Sequence, residues 1–191
     1  MSTDEELVSE ALRGSASSFN RLVERYQERL FRFLLARCSS RADAEDAMQD
    51  TFVNALRYLQ SYNPRWQFST WLYRIAIRSA GRNAHRNTAG GGGHSAQDHA
   101  ELADDAPDPL EQCIQASERE NLWLAAKQLL SQEAYAAMWL RYAEDMPVKD
   151  VARALGRPQS WTRVVLLRAR RRLAERLNDD STAGDESKAY G

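Results

Sequence analysis

The sequence predicts an all-α fold: two small helical domains joined by an acidic flexible linker, the C-terminal one a helix-turn-helix. Three observations lead there. Apolar residues recur at three- and four-residue steps along most of the chain and nowhere alternate convincingly with period two. Gly and Pro are sparse and collect at a few punctuation points. Charge is segregated in blocks. Arg65 to Arg86 holds five Arg and no acid, Asp98 to Glu120 holds eight acids and one Arg, and Lys149 to Arg176 holds nine basic residues and two acids. Basic modules of this kind suit a polyanionic partner, although solvated helix faces would give the same composition.

Thr3 and Glu6 have capping-box spacing and Gly14 is a stop, so a first helix is expected over about Asp4 to Arg13. A second begins near Ser17, with Phe19, Leu22, Val23, Tyr26, Leu30, Phe33 and Leu34 forming its apolar stripe. A third, about Ala42 to Gln60, turns Ala44, Met48, Phe52, Ala55 and Leu59 to one side. Asp43, Asp46, Asp50, Asn54 and Arg57 gather nearly opposite, free to meet solvent or a partner.

Asn63-Pro64 breaks the chain into a loop. A fourth helix starts near Ser69 or Thr70, carries Trp71, Leu72, Ile75 and Ala76 inward, and repeats Arg74, Arg78, Arg82 and Arg86 every four residues as a basic ridge.

Boundaries follow from composition. Residues 1–88 form the first domain, 89–108 the linker, 109–178 the second domain and 179–191 a disordered acidic tail. Helices are expected over about Pro109 to Leu130, Gln132 to Tyr142, Val148 to Leu155 and Gln159 to Leu177. Gly156-Arg157-Pro158 between the last two is helix-turn-helix punctuation. On the last helix Thr162, Leu166, Ala169 and Leu173 fall on one arc, while Ser160, Arg163, Val164, Leu167, Arg168 and Arg171 fall on the other. Arg reaches guanine edges and phosphates, and aliphatic groups touch thymine methyls, so the outer arc suits a major groove. A basic helix that merely closes a bundle would share the pattern. Trp161 fits a core, a backbone contact or a partner contact.

Several function classes are disfavoured. Cys38 and Cys113 match no metal spacing, and His85, His94 and His99 lack helical i, i+4 spacing, so no metal or cofactor is expected. No nucleophile-base pairing is evident, and Gly90 to Gly93 lacks the following Lys and Ser/Thr of a phosphate cradle, so no enzyme is expected. No apolar run approaches the roughly 20 residues of a membrane span. The segment Met1 to Glu10 is acidic without an apolar signal core, so no membrane insertion is expected and the default location is cytoplasmic.

Three segments together resemble one family. Asp43-Ala44-Glu45-Asp46-Ala47-Met48-Gln49-Asp50-Thr51-Phe52 resembles the polymerase-binding stretch of extracytoplasmic-function (ECF, group IV) RNA polymerase sigma factors. Phe68-Ser69-Thr70-Trp71-Leu72-Tyr73-Arg74-Ile75-Ala76 resembles their promoter-melting region, and Leu140-Arg141 through Val151-Ala152 to Leu167-Arg168-Ala169-Arg170 their C-terminal helix-turn-helix. The likeness spans Leu7 to Leu177.

The resemblance implies partners in core RNA polymerase and promoter DNA. Many members are held by an anti-sigma factor, although no residue here identifies one. Carried over residue by residue, it places polymerase contacts at Asp43, Asp46, Gln49, Asp50 and Asn54. It places minus-10 contacts at Trp66, Arg74, Arg78 and Arg82, with the loop from Tyr62 to Phe68. Minus-35 contacts fall at Ser160, Arg163, Val164, Leu167, Arg168 and Arg171. For Phe68 and Trp71 core packing is the expectation; for Trp66 core and strand contact both stay open. The chain departs from the family where Arg78 and Arg82 replace a frequent Asn and an acid. It departs again at Leu130-Ser131, Tyr135, Lys149-Asp150 and Ser160-Trp161-Thr162-Arg163-Val164-Val165. Two other readings share the pattern: a one-component helix-turn-helix regulator that works without polymerase, and a helical adaptor that binds only proteins.

Overall fold

The structure is a computed structural model that describes residues 2–87 and 116–186, with side chains at 2–81 and 122–177. Among the described residues there are helices and turns and no strand. The 89–108 linker lies outside them, as do Cys113, His94 and His99 and the side chains of Arg82, His85 and Arg86. The chain divides into two compact units, Met1–Ala96 with Lys149–Arg157, and Gln97–Val148 with Pro158–Gly191.

The first unit opens with α1 (Asp4–Leu12), held by the anticipated box: Thr3 N–H donates to Glu6 Oε2 at 2.9 Å and Glu6 N–H to Thr3 Oγ1 at 3.2 Å. Gly14, at φ 98°, turns the chain into α2 (Ala16–Arg37), capped by Ser15. Asp4 accepts from Arg25 and from the Tyr26 hydroxyl, tying α1 to α2. The periodic stripe of α2 faces inward: Phe19, Leu22, Tyr26, Leu30, Phe33 and Leu34 are buried and Val23 half-buried.

Helix α3 (Arg41–Arg57) ends sooner than its pattern predicts, and the chain continues as a 3₁₀ turn, Leu59–Ser61. Its buried residues are Ala44, Ala47, Thr51 and Ala55, whereas Met48 and Phe52 are half-buried. The inner face is therefore rotated from the predicted stripe. Small residues let α3 lie close to α2 and α4, and the Thr51 hydroxyl is satisfied by Ala47 O at 2.6 Å. Helix α4 (Phe68–Asn87) packs on α3 and α2, with the Tyr73 ring edge-on to Phe33 at 5.2 Å. Phe68, Trp71 and Leu72 are buried, so the two aromatic residues expected in the core are there. α7 (Val148–Leu155) follows later in the chain, and its Lys149–Leu155 portion groups with this unit. The Asp150 carboxylate on it is buried and paired with Arg153.

The second unit contains α5 (Ala116–Leu129), α6 (Gln132–Met138) and α8 (Gln159–Glu186). Residues 109–115, expected to open α5, lie outside the described residues. Instead of an α-helix to Tyr142, α6 passes into a π turn over Trp139–Ala143, with Glu144 N–H bonded to Trp139 O at 3.1 Å. Six consecutive residues, Tyr135 to Leu140, are buried, so this stretch has no polar face to turn outward. Trp123, Tyr135 and Trp139 form a ring cluster with centroids 4.9 to 6.0 Å apart. α8 packs on α5 and α6, burying Thr162, Leu166, Ala169 and Leu173. It runs to Glu186, beyond Leu177, where the apolar pattern places its end.

Candidate polymerase and nucleic-acid interface

Three surfaces carry the residues singled out by the sequence. On α3, Asp46 and Gln49 are exposed, and Asp43, Asp50 and Asn54 are half-exposed. Two acids of α3 are already engaged. Asp43 bonds Ser40 at the helix start, and Glu45 pairs with Arg41 at 2.9 Å. Asp46 and Asp50, four residues apart on one face, have no ion pair among the described residues. Val53 and Leu56 stand beside them at 55% and 56% exposure, an apolar margin that the sequence pattern did not single out.

The second surface joins the 62–67 loop to α4. Asn63 and Pro64 open a turn: Trp66 N–H donates to Asn63 O and Arg65 N–H to Asn63 Oδ1, both at 3.0 Å. Tyr62, buried beneath, donates its hydroxyl to Trp66 O. Burial, with the Glu5 and Asp4 charges behind it, pushes the Tyr62 phenol up to about 12. The Trp66 indole is half-buried, and the Arg153 guanidinium lies 5.0 Å from its centroid, so the ring face receives a planar cation. Arg74 is half-exposed and Arg78 exposed, and neither has an ion pair among the described residues.

The third surface is the outer face of α8. Gly156, at φ 67°, ends α7 in a paired turn: Gly156 N–H reaches Arg153 O at 3.2 Å and Arg157 N–H reaches Ala152 O at 3.0 Å. Pro158 then precedes α8, and its carbonyl accepts from the Thr162 amide and hydroxyl, both at 3.1 Å. Ser160, Arg163, Arg168 and Arg171 are exposed, and Val164 and Leu167 half-exposed. Arg163, Arg168 and Arg171 have no ion pair among the described residues, while Arg170 and Arg176 are engaged. Unspent positive charge is thus concentrated on the arc opposite the core.

Residues 22–89 match the family model for Sigma-70 region 2, a span that includes α3, the 62–67 loop and α4. The chain is 30% identical over 186 residues to the ECF RNA polymerase sigma-E factor of Haemophilus influenzae, covering 92% of this chain and 95% of that one.

The chain belongs to the ECF sigma factors.

This sigma factor is also 27% identical to the RNA polymerase sigma-H factor of Pseudomonas aeruginosa, over 91% of its own length and 93% of that protein. Among solved structures its fold resembles CnrH in complex with the cytosolic domain of CnrY. The TM-score is 0.65 at 22% identity, covering 93% of this chain and 98% of that one. RpoE in complex with the anti-sigma factor NepR from Bartonella quintana gives a TM-score of 0.59 at 21% identity, covering 85% and 98%. As an RNA polymerase sigma factor the protein binds core polymerase and directs transcription initiation. No helix among the described residues is long and apolar enough to cross a membrane.

Proposed function

We propose that this chain is a cytoplasmic group IV sigma factor that works through the three surfaces described. Asp46, Gln49, Asp50 and Asn54, with Asp43 at the helix start, grip the polymerase clamp, and Val53 and Leu56 add apolar contact. The face bearing Trp66, Arg74, Arg78 and Arg82 follows the melted minus-10 strand: arginines track its phosphates and Trp66 stacks on a base. On α8, Arg163, Arg168 and Arg171 contact minus-35 DNA, Val164 and Leu167 touch thymine methyls, and Ser160 meets phosphate near the helix start. Residues 1–88 form the clamp and minus-10 module and residues 109–178 the minus-35 module.

The observation that carries this reading is the unspent charge. Two acids on one helix and arginines on two other faces have no partner inside the described chain, although neighbouring charges do. Such groups are most economically explained by external partners of opposite sign. The solved complexes of RpoE with the anti-sigma factor NepR and of CnrH with the cytosolic domain of CnrY support a further element, an anti-sigma protein that binds this chain.

Run-off transcription from a genomic library, with purified core polymerase and this protein, tests the reading as a whole. New start sites that vanish with Asp50→Arg are expected. Start sites indifferent to that change remove the α3 assignment.

A further inference from the structure

The 62–67 loop is held from inside by Tyr62. Tyr62 is 7% exposed, and its ring packs edge-on against Phe68 and Trp71, at 5.9 and 5.5 Å. Its hydroxyl leaves this aromatic cluster to donate to the Trp66 carbonyl oxygen. The Asn63 turn closes the other side through its bonds to Arg65 and Trp66. The loop is thus a small arch. One foot is Tyr62 and the other is Phe68, and their rings touch each other in the core. Its crown, Asn63 to Arg65, is exposed.

We infer that Tyr62 is a positioning residue for the melted strand, fixing the Trp66 backbone so that the indole is ordered before a base arrives. The inference rests on the assignment of Trp66 to that strand. A stacking platform that must be ordered during binding gives up part of the stacking energy to that ordering. Here the ordering is completed on folding, because the bond that fixes Trp66 comes from a ring already locked in the core. Neither the acid stripe of α3 nor the arginine ridge of α4 supplies this; both give charge, not the orientation of a ring.

The test is a double-mutant cycle in holoenzyme, with Tyr62→Phe, Trp66→Ala and the pair. The probe is the labelled nontemplate strand of a promoter recovered by genomic run-off, single-stranded across the melted segment. Tyr62→Phe keeps the ring and removes only the hydroxyl. It is expected to weaken strand binding by on the order of fivefold, the scale of one hydrogen bond. Core-polymerase affinity and binding to duplex minus-35 DNA should stay unchanged. In the Trp66→Ala background the same change should have no further effect, since the bond would have nothing left to orient. Equal losses in both backgrounds overturn the positioning role, as does wild-type strand binding by Tyr62→Phe when Trp66→Ala is impaired. A silent Trp66→Ala removes the strand assignment itself, and the positioning role with it. A loss of core-polymerase affinity in step with strand binding would assign Tyr62 to fold maintenance instead.

Discussion

Ser40 and Asp43 cap α3 by bonding to each other. The Ser40 hydroxyl donates to Asp43 Oδ2 at 2.8 Å and its oxygen accepts the Asp43 N–H at 3.1 Å. Asp43 therefore has a local duty that Asp46 and Asp50 lack. Asp43→Ala should destabilise the first unit by about 0.3–1 kcal/mol, through the lost bond and the lost carboxylate at a helix N-terminus. Asp46→Ala should leave stability unchanged. Urea unfolding of the two variants checks this, and equal midpoints would show that the Asp43 carboxylate contributes nothing.

Charge reversal on the acidic face of α3 should separate polymerase binding from folding. Asp50→Arg is half-exposed and unpaired, so it should abolish co-purification with core polymerase while leaving the thermal midpoint near that of the parent. Retention of polymerase by this variant would remove Asp50 from the interface.

On α8, the two kinds of contact have different signatures. If Arg168 reads a base edge, Arg168→Ala should cost about 1–3 kcal/mol and relax preference at one promoter position. If Arg171 meets only phosphate, Arg171→Ala should weaken all sequences alike and lower the salt slope by about 1. Binding by the holoenzyme across a panel of minus-35 variants at several salt concentrations distinguishes them. A flat response at Arg168 in every variant would dismiss it as a reader.

How far these surfaces were legible beforehand differs from helix to helix. The stripe of α2 was readable because large apolar residues mark every turn, and the two arcs of α8 were readable for the same reason. On α3 the large residues misled. Met48 and Phe52 marked a stripe, but the deeper contacts are made by Ala47 and Thr51, whose small side chains carry almost no hydropathy signal. The wiring of Tyr62 to Trp66 was out of reach, since it depends on where a tertiary cluster places a hydroxyl; Asn63-Pro64 announced a turn and no more. The π turn at Trp139 was hidden too, because apolar periodicity over so short a stretch does not distinguish it from the α-helix before it.

Tyr62 also sets a pH dependence. Its folded value, about 12, lies above the usual phenol value of about 10, so the folded chain holds this proton more tightly than the unfolded chain. The associated stability is complete below pH 10 and is lost as pH rises through the folded value. Between about pH 10 and 12 the parent should lose up to about 1.4 kcal/mol per pH unit relative to Tyr62→Phe. Parallel urea titrations from pH 8 to the alkaline limit measure the difference, and curves that stay parallel throughout would contradict it.

Gly156 has no side chain, yet it shapes the turn that ends α7. A Cβ there would meet nothing within 4 Å, so the site excludes other residues by its backbone alone, at φ 67°. The turn is therefore fixed by main-chain geometry and not by packing: a larger neighbour would leave it as it is, whereas one added methyl on Gly156 would strain the backbone itself.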